Sequence, residues 1–367
     1  TDSGLKAMSS KVREIPIARV LLVVNRSSAS GHGSATVGRM VSASQDALGR
    51  RVPIQVETVD DHPEVKARTA DFFSRSGAPA LVVAGGGSGT FRAMVEGICE
   101  GYTSKSLPGA DKVLISALRM GSGNPVARQF SMPLNPCEAL HGIVGNLRSG
   151  RTASCCIMRC EVEGPDGSSN TYYGATMAGF GQFGRVPGDI KRWHHRFPEL
   201  RKIVAKALGI ERVNDAEYAF LTLARFAWSA VSPNAVESVG IKVNDCTIPM
   251  RLLAGVVMNF HIPRLPLEPS TNIEQTTLSL FFLPYSNRWS TLSYSIMPGL
   301  LRSQAKQVLI TAKDRLELRV KERKAMEFFL DEDPMTLRTR ASIQVAGTLA
   351  FVPGPGYLWH MKQEVSP

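Results

Sequence analysis

Residues 81–97 read LVVAGGGSGTFRAMVEG: an apolar strand, a run of glycines broken by one serine, then a segment with helical spacing. A strand that runs through glycines into a helix sets free backbone N–H groups beside the positive end of the helix dipole. Glycine lets that backbone close on a phosphate. The loop carries no acid, base or metal ligand of its own. It is not a Walker loop, because no Lys-Ser/Thr pair follows at the required spacing, and it is not a clean dinucleotide fingerprint.

The same alternation continues on both sides. ARVLLVVN (18–25) is a strand ending in the polar loop RSSASGHGS, with a helix from about Ala35 to Leu48. IQVETV (54–59) is a second strand, and PEVKARTADFFSRSG (63–77) a second helix, with Pro63 in its first turn and Gly77 at its stop. KVLISALRMGSGNPVARQF (112–130) repeats strand, glycine loop and helix. Strand and helix in alternation predict a doubly wound, parallel α/β nucleotide-binding domain over residues 18–150, with its ligand beyond the carboxyl ends of the strands.

After Gly150 the texture changes. TASCCIMRCEVEG, SVGIKVND, RLLAGVVMNF, TTLSLFFLP, RLELRVK and AMEFFLDEDP are short and strand-like, and RLELRVK alternates strictly as a half-buried strand does. They predict a β-rich domain, a β-sandwich, over 151–350, with helical insertions near 197–209 and 287–308. Residues 1–17 read as a polar leader without a signal peptide's apolar centre. Residues 351–367, rich in Pro and Gly, read as a tail that returns to the first domain.

The chain has 367 residues, 43% hydrophobic and 20% charged, with a net charge of +11. That composition excludes a disordered chain, and no apolar run reaches the roughly 18–20 residues of a membrane span. The positive balance favours polyanionic partners, whether nucleotides, nucleic acid or an anionic membrane face. No aromatic stacking platform accompanies it, so nucleic acid is not expected. The six cysteines form no CxxC pair, and adjacent Cys155 and Cys156 face opposite sides of a strand, which predicts reduced structural thiols in a cytoplasmic protein.

In order and spacing the motifs NRSSASGHG (25–33), GGSGT (86–90), GSGN (121–124), AGFGQFG (178–184) and FLDEDPM (329–335) resemble the diacylglycerol kinase superfamily, which includes sphingosine and ceramide kinases. The resemblance spans residues 18–350. It implies an α/β nucleotide domain followed by a β-sandwich lipid domain, ATP with Mg as cofactors, and phosphorylation of a lipid hydroxyl. It also implies a nucleotide site built from Asn25, Thr58, Gly86, Gly87, Ser88, Gly89, Thr90, Gly121, Ser122, Gly123 and Asn124. The chain departs from the pattern at several places. Ser88 stands where the family has Asp, Arg92 and Ala93 where Asn and Glu are usual, Pro125 where Asp often follows, and Asp331-Glu332-Asp333 where the family has Asp-Gly-Glu. Gln182, Phe183 and Gly184 replace an acidic position, and IEQTTL retains only Glu274 of another.

A serine is no general base unless something activates it, and losing carboxylates weakens the case for Mg. Asp331 and Asp333 are the acids available to substitute, and restoring the acid by Ser88→Asp is expected to raise activity if the remaining site is competent. Two readings stay open: a lipid kinase with an altered active site, and a catalytically impaired relative that binds nucleotide or lipid.

GRVPGDIKRWHHRFPELRKIVAKALGIER (184–212) is strongly basic, with Trp193 and Phe197 among its cations. It reads either as core-packed amphipathic helices or as an interfacial segment that meets an anionic membrane peripherally. The resemblance to sphingosine kinases makes Lys191, Arg192 and Arg196 candidate phosphate contacts. His194 and His195 lack metal spacing, His62 reads as a helix cap, and a homodimer stays open.

Overall fold

The computed structural model describes residues 14–28, 34–49, 51–75, 77–102, 107–164, 166–232, 236–244, 246–262, 265, 267–297, 299–320 and 325–358. Residues 1–13 of the expected leader, 29–33 of the first polar loop and 359–367 of the tail lie outside the described residues.

Four strands, β1 (Arg19–Asn25), β2 (Ile54–Val59), β3 (Ala80–Gly86) and β4 (Val113–Arg119), pair in parallel in the order β4-β3-β1-β2. Helices α1 (Ser34–Leu48), α2 (His62–Ser74), α3 (Ser88–Gly101), α4 (Pro125–Gln129) and α5 (Pro136–Arg148) connect or follow them. The near-continuous apolar runs of β1, β3 and β4 follow from burial on both faces, as a parallel sheet between helices requires. Pro at the first turn of α2, α4 and α5 starts each helix, and Asp61 caps α2 by accepting from the Glu64 N–H at 2.9 Å.

The rest is largely antiparallel: β5 (Ala153–Glu163), β6 (Ser169–Gly174), β7 (Met177–Gly181), β8 (Glu237–Val243), β9 (Cys246–Met258), β10 (Thr277–Pro284), β11 (Lys306–Thr311), β12 (Leu316–Val320), β13 (Met326–Leu330), β14 (Asp333–Leu337) and β15 (Arg340–Phe351). Between β7 and β8 run a short 3-10 turn, Phe183–Arg185, and helices α6 (Val186–Arg196), α7 (Pro198–Leu208) and α8 (Ile210–Val231). Helices α9 (Arg288–Ile296) and α10 (Gly299–Gln304) separate β10 from β11. Among the described residues no helix is long and apolar enough to cross a membrane.

The expected strands are present, but the helical insertion after the Gly-Phe-Gly segment is far longer than residues 197–209. The two parts share one hydrogen-bonded path, because β15 pairs antiparallel with β5 and β12 and then parallel with β4 at Ala350 and Phe351. Phe351, the last residue of β15, stacks on Phe130 at 3.8 Å, and beyond it Ser116 Oγ donates to the Val352 carbonyl at 2.8 Å and Asn146 to that of Pro353 at 2.9 Å. Strand β5 divides two apolar cores, with Cys155 in the core around the parallel sheet and Cys156 and Cys160 in the core of the antiparallel part. The opposite-face reading of the cysteine pair therefore describes where two cores meet.

Candidate functional site

A cleft of ≈ 610 Å³ lies at the carboxyl ends of β1, β3 and β4, closed from the other side by α6, α7 and the β13–β14 hairpin. Its floor is Gly87, Ser88, Gly89 and Thr90 from the start of α3, with Gly121, Ser122 and Gly123 from the loop after β4. The two loops press backbone to backbone: a Cβ on Gly121 would sit 2.2 Å from the Gly87 Cα. Gly86 packs on its own helix, where a Cβ would meet Thr90 Oγ1 at 2.3 Å. Asn25 ends β1 and donates to Thr90 Oγ1 at 3.1 Å, tying the first loop to the second.

Asn124 is buried and left-handed, with φ of 48°. Its Oδ1 accepts from the Gly121 N–H at 2.7 Å, and its Nδ2 donates to the Gly121 carbonyl at 2.7 Å and to Glu211 at 2.9 Å. It therefore braces the second loop from behind instead of lining the cleft. Thr58 is exposed on β2 and also lies outside the lining.

The cationic wall comes from the helical insertion. Lys191 and His194 of α6 and Arg201 of α7 line the cleft, and His194 is held to Glu217 of α8 at 2.7 Å. Arg192 is paired to Asp189, and Arg196 lies over the Phe197 ring at 5.5 Å, so of the three expected phosphate contacts only Lys191 reaches the cleft. Arg201 and His194 are residues that sequence reasoning missed: Arg201 reaches the cleft from α7, and His194 shares α6 with Lys191.

The acids behave in three ways. Asp331 is buried, and its carboxylate accepts from the N–H groups of Ala175 at 2.7 Å and Thr176 at 2.8 Å and from the Thr176 hydroxyl at 2.7 Å. Burial pushes its carboxyl above the ordinary value, and those bonds pull part of the way back. It anchors the hairpin to the β6–β7 turn at the edge of the cleft. Asp333 is neutralised by Arg92 Nη1 at 3.0 Å and Lys191 Nζ at 3.5 Å. Glu332 accepts from the Ser88 hydroxyl at 2.9 Å, facing the glycine loops.

Arg92 is itself buried, bound to Glu96 at 3.0 Å and to the Leu330 carbonyl at 3.3 Å. Burial pushes the Glu96 carboxyl up, but the His62 hydrogen bond at 2.9 Å and the Arg92 charge outweigh it and hold the group below its usual range. His62 thus serves Glu96, and the cap of α2 is its neighbour Asp61.

A second hollow, apolar and ≈ 60 Å³, lies among Phe183, Phe226, Val256, Leu265, Phe281 and Leu301. Phe183 lines it, and its buried ring packs at 5.4 Å on that of Phe329, two residues before Asp331.

Residues 19–155 match the model of the diacylglycerol kinase catalytic domain, the family that the motifs resemble. No curated protein matches the sequence significantly. Among solved structures, a candidate diacylglycerol kinase of Bacillus anthracis superimposes with a TM-score of 0.62 at 14% identity, covering 95% of this chain and 99% of that one. A diacylglycerol kinase of the same organism gives 0.57 at 12% identity, covering 93% and 98%. Yeast NADH kinase complexed with NADH gives 0.50 at 9% identity, covering 92% and 84%. These structural likenesses show the fold: a parallel N-terminal sheet joined to an antiparallel, β-rich C-terminal part.

Proposed function

We propose that this chain is an ATP-dependent lipid kinase that phosphorylates a lipid hydroxyl of the diacylglycerol or sphingoid type. The observation that carries the reading is a cleft floored by two glycine loops and walled by the cations Lys191 and Arg201. A triphosphate fits the cleft. The loops are too close for any side chain on Gly121, α3 points its N-terminus inward, and Lys191 and Arg201 offset phosphate charge. In this reading the acceptor hydroxyl approaches the cleft from the side of the hairpin acids.

Among the described residues no group of three or more His, Cys, Asp or Glu is placed to hold a metal ion. Magnesium needs only one or two carboxylates beside a nucleotide's own phosphates, and Glu332 and Asp333 of the cleft lining would be the ones to meet it there. Phosphoryl transfer rests on positioning and charge neutralisation, and the loop amides and cations supply both.

Trp228 and Val231 of α8 and Trp289 and Ile296 of α9 are exposed on two helices that pack together. With the net charge of +11 they suit a peripheral, cytoplasmic enzyme on an anionic membrane. The competing reading, a nucleotide- or lipid-binding relative without transfer, is favoured by Ser88 at the family's Asp position and by the neutralised Asp333. Calorimetric titration with ATP, with and without magnesium, tests the proposal: saturable 1:1 binding supports it, and no binding by folded protein overturns it.

A further inference from the structure

We propose that Glu332 is the catalytic carboxylate that takes the acceptor's proton, held in place by Ser88. The inference rests on the kinase reading above and assigns within it a residue that the family pattern leaves blank, since the matching position there is glycine.

Three observations carry it. The Ser88 hydroxyl donates to Glu332 Oε2 at 2.9 Å across a separation of 244 residues, so the start of α3 and the β13–β14 hairpin meet through this pair. Second, of the three hairpin acids it is Glu332 that meets the start of α3 through Ser88, whereas Asp331 binds the Ala175 and Thr176 backbone and Asp333 pairs with Arg92 and Lys191. Third, Asp331 and Glu332 are both left-handed, with φ of 49° and 70°. Glycine adopts that geometry without strain, and a branched or long side chain held there costs stability. Both are the central residues of the two-residue β13–β14 turn, whose geometry needs positive φ at each and turns the half-buried Glu332 side chain into the cleft.

The step balances without any further reactant. The acceptor oxygen bonds to the γ-phosphorus of ATP, and the β–γ bridging P–O bond breaks with its electrons leaving on ADP. The hydroxyl proton passes to the Glu332 carboxylate. Ser88 is a positioning residue: its hydroxyl fixes the carboxylate before the acceptor arrives. The same geometry revises the expected gain from Ser88→Asp. That change alone sets two carboxylates about 3 Å apart, where like charges destabilise each other.

The test compares wild type, Glu332→Gln, Glu332→Gly, Ser88→Asp and the Ser88→Asp/Glu332→Gly double variant. ATP affinity is measured by calorimetry, thermal stability by melting, and ADP formation with water, glycerol, dioleoylglycerol and sphingosine as acceptors. Glu332→Gln is expected to bind ATP within twofold of wild type and to lower kcat about 100-fold or more with KM for ATP unchanged, in line with the loss of a positioned base. Glu332→Gly is expected to be as inactive yet to melt no lower than wild type, because glycine relieves the turn. Ser88→Asp alone should melt lower and gain no rate, and adding Glu332→Gly should restore both melting and turnover. A kcat within threefold of wild type for Glu332→Gln would overturn the proposal and leave Glu332 a structural latch. So would an absence of ADP above background with every acceptor from wild type that binds ATP. Wild type that binds no ATP would instead sink the kinase reading itself.

Discussion

Arg92→Met removes a buried guanidinium from between Glu96 and Asp333, and the structure sets the size of the loss. Arg92 is 2% exposed and its partner Glu96 5%, whereas Asp333 is 40% exposed. The solvated Asp333 pair contributes little, as surface pairs do. The Glu96 pair is different, because methionine fills the volume but leaves a carboxylate facing a dry core. Removing one partner of a buried pair costs about 3–5 kcal/mol, and the low end applies here because His62 and the Tyr173 N–H still reach Glu96. With an unfolding entropy of about 2.1 cal/mol/K per residue, roughly 3 kcal/mol lowers Tm by about 4 °C in a chain of this length.

The pH dependence identifies the cause. Glu96 has a depressed pKa in the folded protein, so its stabilisation is present above the unfolded value of about 4.3 and is lost as pH falls through the folded value. Without Arg92 the carboxyl protonates at higher pH. The Tm deficit of Arg92→Met should therefore be full at pH 7 and shrink toward pH 4, and Arg92→Met/Glu96→Gln should recover most of it. Melting curves by circular dichroism at both pH values suffice. A deficit equal at pH 7 and pH 4, or no recovery in the double variant, would show that packing and not stranded charge sets the cost.

Gly121→Ala should lower ATP affinity tenfold or more by calorimetry, because its Cβ would drive the two loops apart at Gly87. Asp331→Ala leaves the buried Ala175 and Thr176 N–H groups without their acceptor, at about 1–3 kcal/mol each, so it should melt well below wild type and below Glu332→Gly. Trp228→Ala/Trp289→Ala should reduce co-sedimentation with vesicles containing phosphatidylserine at least fivefold without altering Tm by more than about a degree, as exposed positions allow. Burial pushes the Cys156 thiol up to about 11 and Cys160 up to about 12, so at pH 8 both should resist a thiol reagent until the protein unfolds.

What the sequence made legible follows local rules. Strands β1, β3 and β4 announced themselves as apolar runs, the last two ending in glycine loops, and the Gly87–Gly121 approach explains why those two positions lack side chains. Helix α8 did not, since residues 210–231 mix polar and apolar residues on a helix with Phe220 and Trp228 exposed. Strand β15 hid for another reason: it serves two sheet neighbourhoods in one run, and which neighbour it pairs with is a long-range fact. Within the site, the glycines and Lys191 could be read from their motifs. Arg201 and the inward turn of Asn124 could not, because each depends on α8: Glu217 sits beside Arg201, and Glu211 accepts from Asn124.

The departures from the family pattern make more physical sense in pairs than singly. An acid is missing at Ser88, and one is present across the cleft at Glu332, hydrogen-bonded to the serine that replaced it. A cation has arrived at Arg92, and it meets Asp333, the last acid of the hairpin. Each pair joins α3 to the same β13–β14 turn, so a change on one side alters what the other side's group must do. Reverting Ser88 alone crowds two carboxylates, and reverting Arg92 alone strands Glu96. Residues in contact do not contribute additively, and coupling of this kind is what a double-mutant cycle measures. The α3–hairpin contact is therefore the unit on which this site's chemistry has been rearranged, with the carboxylate relocated across the cleft.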